Sequence, residues 1–223
     1  NGGEGAPLTP IYHKILSKKI KSKKPILFLN IGGVANFTYC YQNKLYAKDI
    51  GPGNVLIDEY LKKVKGIYYD EDGIIASTGR INHNIINHFY EHEFYNINKK
   101  RSFDRKEFDF NFIKGLEFED AVSTLTYFTA LTISKNIQNN ITGDFDLILC
   151  GGGRKNITLV NHIKDLLGQN IFIIDEFGFD GDFIESQAFA YLSIRSYIKQ
   201  PLSYPSTTNV KHPSIGGLIK TNY

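Results

Sequence analysis

A single carboxylate, Asp49, lies between two pairs of glycines: Gly32 and Gly33 on one side, Gly51 and Gly53 on the other. Backbone N–H groups in glycine turns point outwards and carry partial positive charge, so such turns favour phosphate or another anion. A carboxylate beside them can act as a general base on a hydroxyl group or on water. The alternative for an isolated Asp-x-Gly is a turn-capping aspartate, but the two glycine pairs favour a functional site.

Three predicted strands and a helix position this carboxylate. Two of the strands meet at a two-residue turn, which predicts an antiparallel meander. The predicted strands cover residues 25–31, 34–41 and 44–50. A Gly-Pro-Gly then ends the extended pattern, and helical periodicity over residues 54–61 begins immediately. Asp49 is therefore expected where a strand end meets a helix start.

The second half of the chain predicts a βαβ unit with a further glycine turn. A long core helix comes first, and the triple glycine Gly151, Gly152 and Gly153 follows the next strand. The predicted elements are a helix at 117–138, a strand at 146–150, a helix at 157–167 and a strand at 170–174. Ligands bind at the carboxyl ends of parallel strands, so the triple glycine is expected to contact a nucleotide. It completes neither G-x-G-x-x-G nor a P-loop, which excludes those two nucleotide-binding motifs.

The final predicted helix, residues 183–198, carries Glu185 in its first turn. A carboxylate there is favourable to the helix dipole, which is a sufficient structural explanation. The neighbouring Ser186 favours instead a polar binding patch, and the residues alone leave both interpretations open. Asp180 or Asp182 is expected to cap this helix.

The segment His88 to His92 matches the zinc-binding pattern H-x-x-E-H, with Glu91 as its acid. It lies in a predicted helix over residues 78–92, within a polar region, 66–109, that otherwise predicts loop. A zinc site requires a third ligand and a protected cavity. The flanking Asn, Glu and Lys residues indicate a wet surface, so we expect exposed histidines and no metal site here.

Composition restricts the class of protein. The 223 residues are 42% hydrophobic with a net charge of +3, which suits one globular unit and is too mild for nucleic-acid binding. No apolar run has the length of a membrane span. The basic run at residues 18–24 predicts a solvated helix end and linker. Cys40 and Cys150 fall in predicted strands as buried thiols, which is consistent with a reducing cytoplasm.

Ordered segments along nearly the whole chain resemble the 1,6-anhydro-N-acetylmuramic acid kinases, a family of the actin-like ATPase superfamily that also contains sugar kinases and heat-shock chaperones. The segments are GGEGAPLTPIYH (2–13), LNIGGVANFTY (29–39), DIGPGNVLID (49–58), RSFDRKEFDF (101–110), LEFEDAVSTLTYFTA (116–130), LILCGGGRKNITL (147–159), DGDFIESQAFAYL (180–192) and PSTTNVKHPSIGGLI (205–219). The resemblance implies an α/β, actin-like ATPase (ribonuclease H-like) fold. It also implies that residues 25–223 form the C-terminal lobe and that residues 1–24 are a remnant of the N-terminal lobe with a linker.

The family resemblance implies a reaction as well. Such kinases use ATP and Mg²⁺ to open the 1,6-anhydro bond of a cell-wall sugar while phosphorylating O6, and they act as cytoplasmic homodimers. Asp49 then corresponds to the general base on the attacking water. The implied binding residues are Gly32, Gly33 and Asn36 at a phosphate turn, Gly51, Gly53 and Asn54 beside the base, Gly151, Gly152 and Gly153 at the adenosine, and Glu185 at the sugar.

The chain also departs from the family pattern. The family's first phosphate loop, near G-T-S-x-D-G, is absent from these 223 residues, and the sequence contains no methionine. Glu4 replaces the usual Gln, and Ile50 replaces the usual Thr. The sequence therefore predicts a truncated kinase with an incomplete active site. The alternative is a catalytically inactive remnant that at most binds a nucleotide or a partner.

Overall fold

The computed structural model describes residues 1–91 and 108–220. The helices are α1 (Pro10–Ile20), α2 (Val55–Lys65), α3 (Ile74–Thr78), α4 (His83–Glu91), α5 (Phe118–Asn140), α6 (Ile157–Leu167), α7 (Ile184–Tyr197) and α8 (Pro205–Thr208). The strands are β1 (Ile26–Ile31), β2 (Val34–Tyr41), β3 (Lys44–Pro52), β4 (Asp146–Cys150) and β5 (Asn170–Ile173). Short 3₁₀ turns lie at Glu71–Gly73, Asn111–Ile113, Gly152–Lys155 and Ile174–Phe177. No helix in the described ranges has the length and apolar character needed to cross a bilayer.

The five strands form one mixed sheet in the order β3-β2-β1-β4-β5. β2 pairs antiparallel with both β1 and β3, whereas β4 pairs parallel with β1 and β5. The predicted meander and the predicted β4-α6-β5 unit are both present. An antiparallel meander continued by parallel strands is the arrangement of the ribonuclease H-like fold, so the expected α/β fold class is confirmed.

Each face of the sheet buries an apolar layer, because residues that alternate along a strand point to opposite sides. The α5 face, covered by α5 and α6, buries Leu27, Leu29, Ile31, Ala35, Phe37, Ile50, Ile133, Ile137, Leu147, Leu149, Leu159 and Ile163. The α1 face, covered by α1 and α7, buries Leu16, Ile26, Phe28, Cys40, Ile148, Cys150, Ile174 and Ile184. Both cysteines are free and buried, as the sequence predicted. Burial raises the pKa of each thiol to about 12, which leaves both thiols protonated and unreactive.

Two predicted boundaries differ from the structure around the first glycine turns. The strand predicted to end at Ile50 continues through Gly51 and Pro52, which pairs with Val34. Proline is tolerated there because Pro52 is the last residue of an edge strand. α2 also continues to Lys65, four residues beyond the predicted end, and Gly66 ends it in the left-handed conformation.

The helix predicted over residues 78–92 starts too early, because α4 begins at His83, and α3, which ends at Thr78, lies in a region that was predicted to be loop. Between them, side chains of α5 accept hydrogen bonds that a continuous helix would otherwise use. The Arg80 amide donates to Asp120 Oδ1 at 2.7 Å, and the Asn82 amide donates to Thr124 Oγ1 at 3.0 Å. Contacts with a distant helix therefore override the local periodicity.

A buried histidine links α1 to the sheet on the α1 face. His13 is 1% exposed, its Nδ1 lies 2.8 Å from Thr38 Oγ1, and its ring stacks on Phe28 at a centroid distance of 4.9 Å. Burial lowers the pKa of His13 to about 4, so the ring is neutral near pH 7.

Candidate active site

The two glycine turns around Asp49 lie directly against each other. The Gly53 amide donates to the Gly33 carbonyl at 2.9 Å, and the Asn54 amide donates to the Gly32 carbonyl at 2.8 Å. A Cβ atom on Gly53 would stand 2.2 Å from the Gly32 oxygen, so no other residue fits that position. The two turns are therefore joined through their main chains.

The third glycine turn meets this pair at the carboxyl ends of β1 and β4. The Cβ position of Gly151 lies 2.7 Å from the Ile31 carbonyl oxygen, and that of Gly153 lies 3.1 Å from Asn54 Oδ1. Asn54 thus lies between the second and third turns. The structure brings the third glycine turn together with the first two, from which the sequence separates it by about a hundred residues.

Asp49 belongs to a row of polar residues that crosses the sheet. In register, Asp49 on β3 pairs with Asn36 on β2, and Asn36 pairs with Asn30 on β1. Directly opposed residues share one face of a sheet, and here it is the α1 face. Asn30 Oδ1 lies 2.6 Å from the Cβ position of Gly151. The row therefore runs from the candidate base to the candidate nucleotide turn, across three strand spacings or about 14 Å.

Asn36 occupies the middle of this row. A bulge in β3 at Ile50, opposite Ala35 and Asn36, shifts the register beside Asp49, and bulges commonly redirect side chains next to active sites. Asp49 is 7% exposed. In the described part of the chain, Asn36 Oδ1 is buried and has no hydrogen-bond partner. A buried oxygen without a partner is expected to accept a hydrogen bond from a ligand or from water.

Polar side chains of α5 hold the Asp49 turn from the opposite face. Asn136 Nδ2 donates to the Ile50 carbonyl at 2.8 Å, and Thr129 Oγ1 lies 3.4 Å from the Gly53 carbonyl. Gly51 has a φ of +129°, and its Cβ position lies 2.7 Å from Thr132 Cγ2. Sequence reasoning treated α5 only as a core helix and missed these contacts. The available signal was the series of Ser, Thr and Asn residues between its apolar positions.

A cleft with a volume of about 430 Å³ opens beside the third turn. Its walls are the triple-glycine turn, the start of α2 and the segment before α3, which the sequence reasoning assigned to polar loop. The lining residues are Asn54, Ile57, Asp58, Tyr69, Asp70, Glu71, Asp72, Gly152, Gly153, Lys155 and Asn156. The volume and the mixture of ring, aliphatic and polar groups suit a small-molecule ligand.

Two of the lining residues also fix the cleft walls. Asp70 accepts the amides of Ile75 and Ala76 at 2.8 and 2.9 Å, and so caps α3. Asn156 Oδ1 accepts the Leu159 amide at 2.9 Å and caps α6. Both walls are therefore anchored at helix N-termini.

Glu185 lies in the first turn of α7 with an exposed side chain. The predicted cap of this helix is wrong, because the N-cap residue is Phe183 and it makes no side-chain cap bond. Asp180 Oδ1 instead accepts the Asp182 amide at 3.0 Å, and the Asp182 carboxylate binds Arg154 and Lys155. The charge network at the start of α7 is thus directed towards the triple-glycine turn.

The zinc-like histidine pattern falls only partly within the described residues. His88 lies in α4, whereas His92 lies outside them. Among the described residues, no group of three or more His, Cys, Asp or Glu side chains is placed to hold a metal ion.

Sequence comparison identifies the family. A sequence model of the family described as Anhydro-N-acetylmuramic acid kinase matches residues 1–222. The chain belongs to this family. The kinase family agrees with the resemblance that the ordered motifs indicated.

Individual relatives within the anhydro-N-acetylmuramic acid kinase family support the assignment. The kinase of Pelagibacter ubique is 47% identical over 234 aligned residues, which cover 100% of this chain and 62% of that protein. The kinase of Zymomonas mobilis is 38% identical, covering 98% of this chain and 60% of that protein. The chain therefore spans about three-fifths of the length of these relatives.

Solved structures with a related arrangement are more distant than these kinases. The activator of the 2-hydroxyisocaproyl-CoA dehydratase from Clostridium difficile matches at a TM-score of 0.46 and 12% identity, over 83% of this chain and 68% of that one. A xylulose kinase from Lactobacillus acidophilus matches at a TM-score of 0.44 and 11% identity, over 74% of this chain and 39% of that one.

Proposed function

We propose that this chain carries the catalytic base and the adenosine turn of an ATP-dependent anhydro-N-acetylmuramic acid kinase. The observation that supports this most directly is the polar row from Asp49 through Asn36 and Asn30 to the Gly151 turn. It joins a buried carboxylate to three converging glycine turns. Family membership supplies the reaction that such an arrangement would serve.

In the proposed reaction, Asp49 takes a proton from a water molecule as that water attacks the anomeric carbon of the anhydrosugar. The bond between the anomeric carbon and O6 breaks, and O6 forms a bond to the γ-phosphoryl group of ATP. ADP leaves, and the product is N-acetylmuramic acid 6-phosphate. The unpartnered Asn36 oxygen next to Asp49 supports a role in holding the water or a sugar hydroxyl.

The residues around the base fit a nucleotide substrate. The Gly32 and Gly33 amides would face the phosphates, and the turn that contains Gly51 and Gly53 would lie beside them. The cleft beside Gly151, Gly152 and Gly153 would take the adenosine. Glu185 would bind the sugar from the start of α7. Mg²⁺, when bound with ATP, would neutralise phosphate charge. It typically uses only one or two carboxylates together with phosphate oxygens and water, and the carboxylates that line the cleft could supply these ligands.

Phosphoryl transfer needs an enclosed cleft, because water competes for the transferred group. We propose that residues 25–223 form the C-terminal lobe, and that an opposing lobe supplies further phosphate and sugar contacts. The length of the relatives beyond the matched part supports this division.

Replacement of Asp49 tests the proposal in the full-length gene product. We expect Asp49→Asn to reduce formation of the 6-phosphate by about 10²–10⁴-fold, because the general base is lost. Nucleotide affinity should stay within about twofold, since the glycine turns remain. Product is measured by mass spectrometry and nucleotide affinity by calorimetry.

Asp144→Asn is the matched control, because Asp144 is an exposed aspartate in an ion pair with Lys24. It should leave both quantities unchanged. Full turnover by Asp49→Asn would remove Asp49 from its role. A wild-type protein that binds ATP without forming product would instead favour the non-catalytic alternative.

A further inference from the structure

Arg154, the residue directly after the triple glycine, contacts three separate segments of the chain. Its Nη1 donates to the Gly151 carbonyl at 3.0 Å, its Nε donates to Asp175 Oδ2 at 2.8 Å, and its Nη2 donates to Asp182 Oδ1 at 3.0 Å. The side chain is only 4% exposed. A planar guanidinium has five donors in a rigid fork, so one arginine can fix three acceptors relative to one another.

Opposite charges compensate the buried guanidinium. The Arg154 hydrogen bond lowers the pKa of Asp175, which also accepts the Gly181 amide at 3.1 Å. Lys155, with Arg154, lowers the pKa of Asp182, and Lys155 Nζ lies 2.8 Å from Asp182 Oδ2. Both carboxylates are therefore ionised near pH 7. A buried cation without such partners would be strongly unfavourable.

The chain that enters α7 lies closely against this guanidinium. A Cβ atom on Gly181 would stand 2.3 Å from Arg154 Nε, so only glycine allows the approach. Three residues later, Ile184 is buried in the α1-face layer. The first turn of α7 is thus fixed at two points, and Glu185 follows immediately after the second.

We propose that Arg154 is a positioning residue that sets Glu185 relative to the Gly151–Gly153 turn. The inference rests on the proposed function, in which the turn binds adenosine and Glu185 binds the sugar. Phosphoryl transfer depends on the alignment of the two substrates, and a displacement of about 1 Å can reduce the rate by about 10²-fold. One side chain that contacts both binding elements would fix that alignment.

A variant of Asp182 distinguishes the positioning role of Arg154 from a general contribution to folding. Asp182→Ala removes the contact from Arg154 to the start of α7, while the contacts to Gly151 and Asp175 remain. Its side chain is 53% exposed, so the variant should fold. We expect the KM for the anhydrosugar to rise about tenfold, with nucleotide affinity changed less than about twofold.

Asp182→Asn provides the conservative rescue, because an amide oxygen can still accept from Arg154 Nη2. Its KM for the anhydrosugar should lie within about threefold of wild type. Arg80→Ala is the matched control: it removes another arginine–aspartate pair, with Asp120, in which the arginine is 90% exposed. This control should change neither KM nor nucleotide affinity.

Kinetics in the full-length gene product decide the proposal. An unchanged sugar KM in Asp182→Ala, or an asparagine variant as impaired as the alanine variant, would overturn it. If wild type transfers no phosphoryl group, the proposed function fails, and hydrogen exchange then tests by itself whether Arg154 fixes the start of α7. Exchange of amides 183–188 should accelerate about tenfold in Asp182→Ala. Unchanged exchange would overturn the positioning role of Arg154 as well.

Discussion

The two faces of the sheet hold the candidate site by different means. On the α5 face, neutral groups such as Asn136 and Thr132 contact the turn after Asp49. On the α1 face, ionisable groups such as His13 and Arg154 fix the elements that surround the same turns. The difference implies that changes of side-chain volume on the α5 face alter the free energy of unfolding. On the α1 face the free energy of unfolding should also depend on pH.

The largest expected effect is on the α5 face. Gly51→Ala places a Cβ atom 2.7 Å from Thr132 Cγ2, at a φ of +129° that side chains rarely adopt. We expect the free energy of unfolding to fall by at least about 3 kcal/mol, from overpacking and backbone strain together. Urea denaturation monitored by circular dichroism measures it.

Two further variants identify the cause. Thr132→Ser removes the methyl group but keeps the hydroxyl, so the double variant should regain about 1 kcal/mol. Gly152→Ala is the control on the other turn, because the nearest atom to its Cβ position is Asn54 Nδ2, 4.0 Å away. If Gly51→Ala and Gly152→Ala lowered the free energy of unfolding equally, the space around each glycine would not explain the loss.

A slightly smaller effect is expected on the α1 face, and it depends on pH. The pKa of His13 is 6.5 when exposed and about 4 in the folded protein. As pH falls from 6.5 to 4, the unfolded chain takes up a proton that the folded chain does not, so His13 reduces stability progressively. The reduction at pH 4 is about 3 kcal/mol and is absent above pH 6.5.

His13→Gln isolates this contribution, since glutamine does not titrate and can still bind Thr38. Its free energy of unfolding should fall less steeply than that of wild type between pH 6.5 and 4. Parallel curves for the two proteins would assign the acid sensitivity to other groups. Guanidinium unfolding at several pH values gives both curves.

The smallest effect concerns the Asn136 side chain on the α5 face, which also donates to the Thr132 carbonyl at 3.1 Å. Asn136→Ala leaves the buried Ile50 carbonyl without its donor, which should cost about 2 kcal/mol. The loss should be the same at pH 5 and pH 8, because no ionisable group takes part. Gln138→Ala removes a comparable bond, to the Leu166 carbonyl at 3.1 Å, from the surface and should cost less than about 0.5 kcal/mol.

Local patterns in the sequence predicted most of the sheet. The apolar runs for β1, β2 and β4 agree with the structure to within one residue, because each is bounded by turn residues or glycines. The late start of α4 at His83 could not be found in this way. It depends on Asp120 and Thr124, about forty residues further along the chain.

The candidate site was predictable to a similar extent. Residue types and glycine spacing drew attention to Asp49 and the three turns, and the structure brings those turns together. Their roles in binding and catalysis stay predictions. The contacts of Asn136 with Ile50 and of Arg154 with Asp182 join residues 86 and 28 positions apart. No local periodicity encodes such pairs, because they depend on how whole elements are placed.

The main-chain bonds between the first two glycine turns also restrict how the protein can move. Gly53 and Asn54 donate directly to the carbonyls of Gly33 and Gly32, with no side chain in between. These two turns cannot open like a hinge without breaking backbone hydrogen bonds. Any motion that admits or releases the proposed nucleotide therefore has its pivot elsewhere, and this pair of turns moves as one rigid unit relative to the other segments.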